Sequence, residues 1–223
     1  LLKATLKRAG LSLASLRPVT LSRGLEAIRT GELDMMMGVT DTIDRQAYTT
    51  FVGPYRANPV VIVSRDHAQV TSLDQLVGRR LMMRKAFFGL PYVQSNHPSI
   101  EVLTCDLIEQ CLSDVDAGTG DAVLMGLHGV LDRLDVGKQR SLRVTGMVNH
   151  LQDEENLGLS SARADLAPRL RDALQAAMRV DQPRIEREWM AQQASNRFEW
   201  SELRRWLLWG APATGCAKLT DAA

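Results

Sequence analysis

Several familiar signals are missing from this chain of 223 residues. It has three cysteines, Cys105, Cys111 and Cys216, and no C-x-x-C pair. That excludes a zinc ribbon and a disulfide-dense scaffold. The four histidines, His67, His97, His128 and His150, are scattered, and no two stand at a metal-binding spacing. No G-x-S-x-G or catalytic Cys/His pattern occurs. Gly118-Thr119-Gly120 resembles a phosphate loop, but it follows a helix and precedes a strand, the reverse of the order such a loop requires. No apolar run approaches the ~20 residues of a membrane span. Charge of one sign is lacking too. The net charge of +1 shows no bias toward nucleic acid or an acidic membrane. No signal peptide, internal repeat or low-complexity stretch is visible.

What is present is an ordinary globular composition, 45% hydrophobic, in a length suited to one large or two small domains. Leu2, Leu6 and Ala9 recur at helical spacing before Gly10. A second helix is expected over residues 22–29, with Ser22 as N-cap, Leu25 and Ile28 inward and Gly31 ending it. Met35-Met36-Met37 reads as a buried parallel strand, and residues 40–45 as a polar turn. Residues 59–63 form a β-branched strand. Ser72 with Gln75 forms a capping box for a short helix closed by Gly78. Strands follow at 81–83 and 100–104. Asp106 caps a helix with Leu107, Ile108, Cys111, Leu112 and Val115 on its apolar face. A buried strand at 122–125 precedes a short helix bearing Leu131 and Leu134. Residues 141–145 and 157–160 are extended. The helix at 166–180 turns Leu170, Leu174 and Met178 inward. Pro183 opens another with Ile185 and Trp189, and Trp206 and Trp209 lie on a last amphipathic helix. Strands alternate with helices throughout, which predicts an α/β fold with largely parallel sheets. Met35 to Met37, Met82 and Met83 read as core fillers rather than metal ligands. Cys105 and Cys111 are either bridged or two buried free thiols.

The order of short motifs is more specific. Gly31-Glu32-Leu33-Asp34 leads into a strand, followed by Gly38-Val39-Thr40-Asp41-Thr42-Ile43-Asp44-Arg45. Then come Phe51 with Pro54-Tyr55, the run Ser72-Leu73-Asp74-Gln75-Leu76-Val77-Gly78-Arg79, and Gly118-Thr119-Gly120-Asp121-Ala122. This series resembles the bacterial extracellular solute-binding proteins of family 3, the type that binds polar amino acids, over roughly residues 1–190. The resemblance implies a two-lobed type II periplasmic-binding-protein fold. Lobe one would be residues 1–63 plus 150–223 and lobe two residues 64–149. Hinge strands would lie near residues 60–63 and just before Leu157. The first strand of lobe one, which the family places before Leu1, is not in this sequence. A periplasmic location, a monomeric state and an importer permease as partner also follow from the resemblance, with no nucleic acid, cofactor or metal.

A carboxylate is best held by a guanidinium fork together with free backbone amides. The resemblance assigns that role to Gly38, Thr40 and Arg45. In lobe two, Arg84 could add a second positive group, suiting a dicarboxylate or another anion, and Phe87 and Phe88 could cover an apolar or aromatic ligand. Leu21 stands where the family often carries a stacking aromatic, and the alternative is a core leucine. Arg23 reads as a surface residue. One departure bears on ligand choice. Amino-acid binders place an aspartate where this chain has Gly126, and a buried ammonium without a counter-charge is costly. Either the missing N-terminal strand or another acid supplies the charge, or the ligand lacks an amine. Three functions are compatible with these residues: an importer's solute receptor, a receptor's sensor domain, or an enzyme similar to cyclohexadienyl dehydratases. The enzyme would need a general acid that the sequence does not supply convincingly.

Overall fold

The computed structural model describes residues 1–135, 141–185 and 187–188. Trp189, Trp206, Trp209 and Cys216 lie outside them. One six-stranded sheet runs through the molecule, in the order β1-β6-β2-β5-β3-β4. Its strands are β1 (Met35–Thr40), β2 (Thr49–Arg65), β3 (Arg80–Arg84), β4 (Glu101–Cys105), β5 (Ala122–Gly126) and β6 (Leu142–Ser160). The helices are α1 (Leu2–Arg8), α2 (Leu21–Arg29), α3 (Ile43–Gln46), α4 (Leu90–Asn96), α5 (Ile108–Asp116), α6 (Leu127–Asp135) and α7 (Ala167–Val180).

Two strands dominate. β2 and β6 are 17 and 19 residues long and pair antiparallel, from Thr49↔Ser160 to Arg65↔Leu142. The expected segments at 59–63, 141–145 and 157–160 are pieces of this ribbon. Its ladder slips between Val52 and Arg56 and again between Pro59 and Val61. Such irregularities bend a strand pair and increase its local twist. They fall between Val52, in one apolar cluster, and Val60 and Val61, in two others.

The period of two is legible in the β3–β5 half. Val60 and Ile62 with Leu81, Met83 and Leu124 line one face, against Leu73, Leu76, Phe87 and Val93. Val61, Val63, Met82, Val123 and Met125 line the other, against Leu112, Val115 and Val130. Both faces are covered, so these strands read as continuous apolar runs. Around β1, Val52, Leu157 and Leu159 pack on Leu6, Leu170 and Leu174. Leu21, Leu25 and Val39 form a smaller cluster with Met36 and Phe51.

Several local expectations are corrected. The sheet is not largely parallel: β1–β6, β2–β6 and β2–β5 are antiparallel, and β3 pairs parallel with β4 and β5. The long ribbon, invisible to local periodicity, reverses the chain direction. The Met35–Met37 strand is antiparallel to β6, half-buried at Met35 and Met36 and exposed at Met37, because its pairings among the described residues lie on one side. Thr20, not Ser22, caps α2, its hydroxyl accepting from the Arg23 N–H at 3.3 Å. Ser72 makes no cap bond, and Gln75 Oε1 instead accepts from the Thr71 N–H at 2.8 Å. Asp106 pairs with Lys85 at 3.2 Å, so α5 starts after an exposed Leu107. Helix α4 was unforeseen. Cys105 and Cys111 are bridged, with Cα atoms 5.6 Å apart.

Candidate functional site

The site assembles where β1 ends, beside the irregular stretch of the β2–β6 ribbon. Gly38 has φ +69°, a conformation that costs glycine little. It sits at the ladder slip between Met37 and Val39 and beside the Tyr55 hydroxyl. After it the strand delivers Thr40, and the short helix α3 turns Arg45 back over the strand end.

Arg45 is 4% exposed. Its Nη1 donates to the Thr40 carbonyl at 2.8 Å and its Nη2 to the Ala86 carbonyl at 2.7 Å. Thr40 belongs to β1, whereas Ala86 follows β3 in the other half. One guanidinium therefore spans the junction. Ala86 holds φ +60°, a left-handed conformation uncommon for a residue with a Cβ. Burial pushes the Arg45 pKa down, while Asp44, Tyr48 and Asp153 oppose the shift.

Asp153 on β6 is the buried acid of this junction. Thr40 Oγ1 donates to its Oδ1, and Asn58 Nδ2 donates to its Oδ2 at 3.3 Å. Burial raises the Asp153 pKa and Glu155 adds to the rise. The Thr40 hydroxyl, Arg84 and Arg45 pull it back. Asn58 faces Asp153 across the ladder and is 7% exposed. It also donates to Glu155 Oε1 at 3.1 Å and accepts from the His128 backbone N–H at 3.0 Å. Glu155 in turn pairs with Arg56 at 2.7 Å. Burial, with Glu155 nearby, pushes the Tyr55 hydroxyl well up, so Tyr55 remains a neutral phenol.

Gly126 ends β5 directly against Asn58. A Cβ built on Gly126 would stand 2.2 Å from Asn58 Nδ2. The space of a side chain at 126 is thus filled from across the sheet.

The structure brings Gly38, Thr40 and Arg45 together and sets Arg84 near them. Arg84 ends β3, half-buried, and burial lowers its pKa while Asp153 opposes the shift. Phe87 lies in the apolar core at 4% exposure, and Phe88 packs on that cluster with ring centroids 4.8 Å apart. Leu21 is 8% exposed, in the small cluster with Leu25 and Val39. Arg23 is at the surface and paired with Glu32. Asp153, Asn58 and Glu155 were missed. The acidic run 153–155 was a visible signal, but only the ribbon's register sets Asp153 opposite Asn58. Among the described residues no cluster of histidine, cysteine, aspartate and glutamate suits a metal, and no helix is long and apolar enough to cross a membrane.

Comparison with known proteins places this fold. The virulence sensor protein BvgS of Bordetella bronchiseptica is 26% identical over 186 residues, 82% of this chain. The chain spans only 15% of that protein's length. The ABC transporter arginine-binding protein 1 of Escherichia coli K12 is 24% identical over 71% of this chain and 66% of its own. Among solved structures, an ancestral arginine-binding protein bound to glutamine superposes with a TM-score of 0.75 at 19% identity, covering 84% of each chain. The periplasmic VFT2 domain of Bordetella pertussis BvgS gives 0.68 at 24% identity, covering 78% of this chain and 74% of that one. These relatives are binding and sensor proteins, and the structures show a two-lobed periplasmic-binding-protein fold. A family model matches residues 1–192, and the chain belongs to the bacterial extracellular solute-binding proteins, family 3.

Proposed function

We propose that this protein is a ligand-closing solute receptor that takes a small, amino-acid-like carboxylate between its lobes through Arg45. Lobe one is residues 1–63 with the segment from 150 onward, and lobe two is 64–149. The separation of the apolar clusters around β1 and around β3–β5 supports that division. The observation that carries the reading is the buried Arg45 guanidinium, which reaches carbonyls of both halves. A carboxylate offers this planar fork a stronger acceptor than a neutral carbonyl. Gly38 leaves the backbone open to approach, and Thr40 holds the strand end in register with Asp153. A ligand that contacts Arg45 and the segment around Arg84 together binds the closed arrangement better than the open one. It shifts the population toward closure by that difference.

In this reading the protein works in the periplasm as a monomer and hands its solute to an importer's permease. The similarity to the arginine-binding proteins supports that role. The match to BvgS over 82% of the chain favours a second reading, in which the same module is the sensor domain of a membrane receptor. Closure and carboxylate capture are common to both, and neither needs bond chemistry.

The test is a thermal-shift screen against amino acids, dicarboxylates and aromatic acids, repeated on Arg45→Ala. A bound ligand raises the melting temperature by linkage. One carboxylate class is expected to shift the wild type, and the variant is expected to lose that shift. Loss of a paired charge contact costs about 2–5 kcal/mol, or roughly 30- to 5,000-fold in affinity. A variant that responds like the wild type removes Arg45 from the site. Ligand-stimulated ATPase activity of a reconstituted permease then separates importer from sensor.

A further inference from the structure

The charges around Arg45 do not balance within the protein. Setting aside the carboxylates, lysines and arginines that are paired or exposed, Glu154 among them, leaves three charged groups at the junction. Glu155 is engaged by Arg56 at 2.7 Å, and Glu109 by Arg133 at 2.7 Å. Asp106 is engaged by Lys85 at 3.2 Å. Asp44 and Asp41 are exposed, and Asp41 accepts from Gln46. What remains is Arg45, Arg84 and Asp153. Arg45 donates only to neutral carbonyls. The Arg84 side chain has no ion-pair or hydrogen-bond partner among the described residues. Asp153 has two neutral donors, Thr40 and Asn58, and no cation within 4 Å among the described residues. It is nevertheless 9% exposed. Two guanidinium groups and one carboxylate thus share a half-buried junction with a surplus of one positive charge.

A buried charge is costly unless a counter-charge meets it directly. The three groups are also arranged for separate use. Asp153 projects from the ribbon with one oxygen on each of two donors, and a carboxylate has further acceptor capacity beyond those bonds. Arg45 comes from the β1 half and Arg84 from the end of β3 in the other half. The two cations therefore approach from opposite lobes, with the acid on the strand pair between them. Gly126 cannot carry an acid without displacing Asn58, whose amide is 2.2 Å from the Cβ position. Asn58 both closes that position and orients Asp153. The acid function stands on the ribbon instead of at the end of β5.

We infer that the ligand is an amino dicarboxylate of net charge −1, its ammonium received by Asp153 and its two carboxylates by Arg45 and Arg84. This rests on the interlobe reading of Arg45 given above and adds the ligand's charge pattern to it. A cationic side chain would meet Arg84 unfavourably. An amine-free diacid would leave Asp153 facing two more negative groups.

The experiment is isothermal titration of the whole protein with six probes: L-glutamate and L-aspartate, their amine-free counterparts glutarate and succinate, and their amides L-glutamine and L-asparagine. One acidic amino acid is expected to bind at least ~30-fold tighter than both its amine-free and its amide counterpart, the low end for truncating a buried charge pair. Asp153→Asn is expected to abolish the preference over the diacid, and Arg84→Gln the preference over the amide. Circular dichroism melts verify that each variant is folded, and either variant alone tests its own half of the assignment. A diacid that binds as tightly as the amino diacid, an amide that does so, or binding of none of the six overturns the inference. If such a competitor or some other carboxylate still depends on Arg45, the interlobe reading stands and only the charge pattern falls. If no carboxylate responds to Arg45→Ala, both fall.

Discussion

Replacing Gly126 by alanine adds one methyl group at the most crowded point of the site, and the structure specifies what it strikes. Its Cβ would lie 2.2 Å from Asn58 Nδ2 and 2.7 Å from Asn58 Cγ. No real Cβ tolerates such contacts, so Asn58 must leave. Asn58 is buried and bonded to Asp153, Glu155 and the His128 N–H at 3.3, 3.1 and 3.0 Å. Overpacking costs about 1–3 kcal/mol. A buried polar group left without its partner costs about 1–3 kcal/mol more. The expected loss is therefore about 2–6 kcal/mol, measured by urea denaturation with the slope checked for a change in cooperativity. The mechanism is tested by a double-mutant cycle with Asn58→Ala. If the clash is the cause, adding Gly126→Ala to Asn58→Ala costs less than about 0.5 kcal/mol. A single variant as stable as the wild type, or two effects that simply add, would refute the reasoning.

Two further outcomes follow from other parts of the structure. The raised pKa of Asp153 sets a sign for pH dependence. The folded state binds its proton at a pH where the unfolded chain does not, so the penalty of the buried carboxylate is present at neutral pH. It is relieved as pH falls through the raised folded value toward the ordinary aspartate range. Asp153→Asn should therefore gain stability relative to wild type between about pH 4 and pH 7. Denaturation at both ends of that range would show a constant or opposite difference if the group were not penalised. In the core, Leu124→Ala should cost about 2–5 kcal/mol, since Leu124 is fully buried between β2 and β3. A loss below about 1 kcal/mol in the same assay would mean that this layer is not packed as described.

Much of the architecture was legible because local chemistry sets it. The apolar runs at 60–63, 81–83 and 122–125 had to be strands covered on both faces, and each is. The spacing of Leu170 and Leu174 required a helix with that face inward. Gly38, Thr40 and Arg45 lie within eight residues, so one strand end and one helical turn suffice to bring them together. The motif order pointed to the two-lobed fold because each motif marks a turn between elements. The antiparallel ribbon was not legible. Its strands are separated by some 80 residues of sequence, and the polar stretches within them carry no strand signal of their own.

The sequence by itself determined the amphipathic helices and the apolar strand segments, where Arg45 stands relative to Thr40, and the family to which the chain belongs. Only the tertiary structure decided that Ala86 meets Arg45, that Asn58 fills the space over Gly126, and that Asp153 is buried against Thr40 and Asn58. The first set depends on periodicity and near-neighbour chemistry, which act along the chain. The second depends on the register of β2 against β6 and on the meeting of two halves, and pairing at that range is settled by packing and desolvation once the chain has folded.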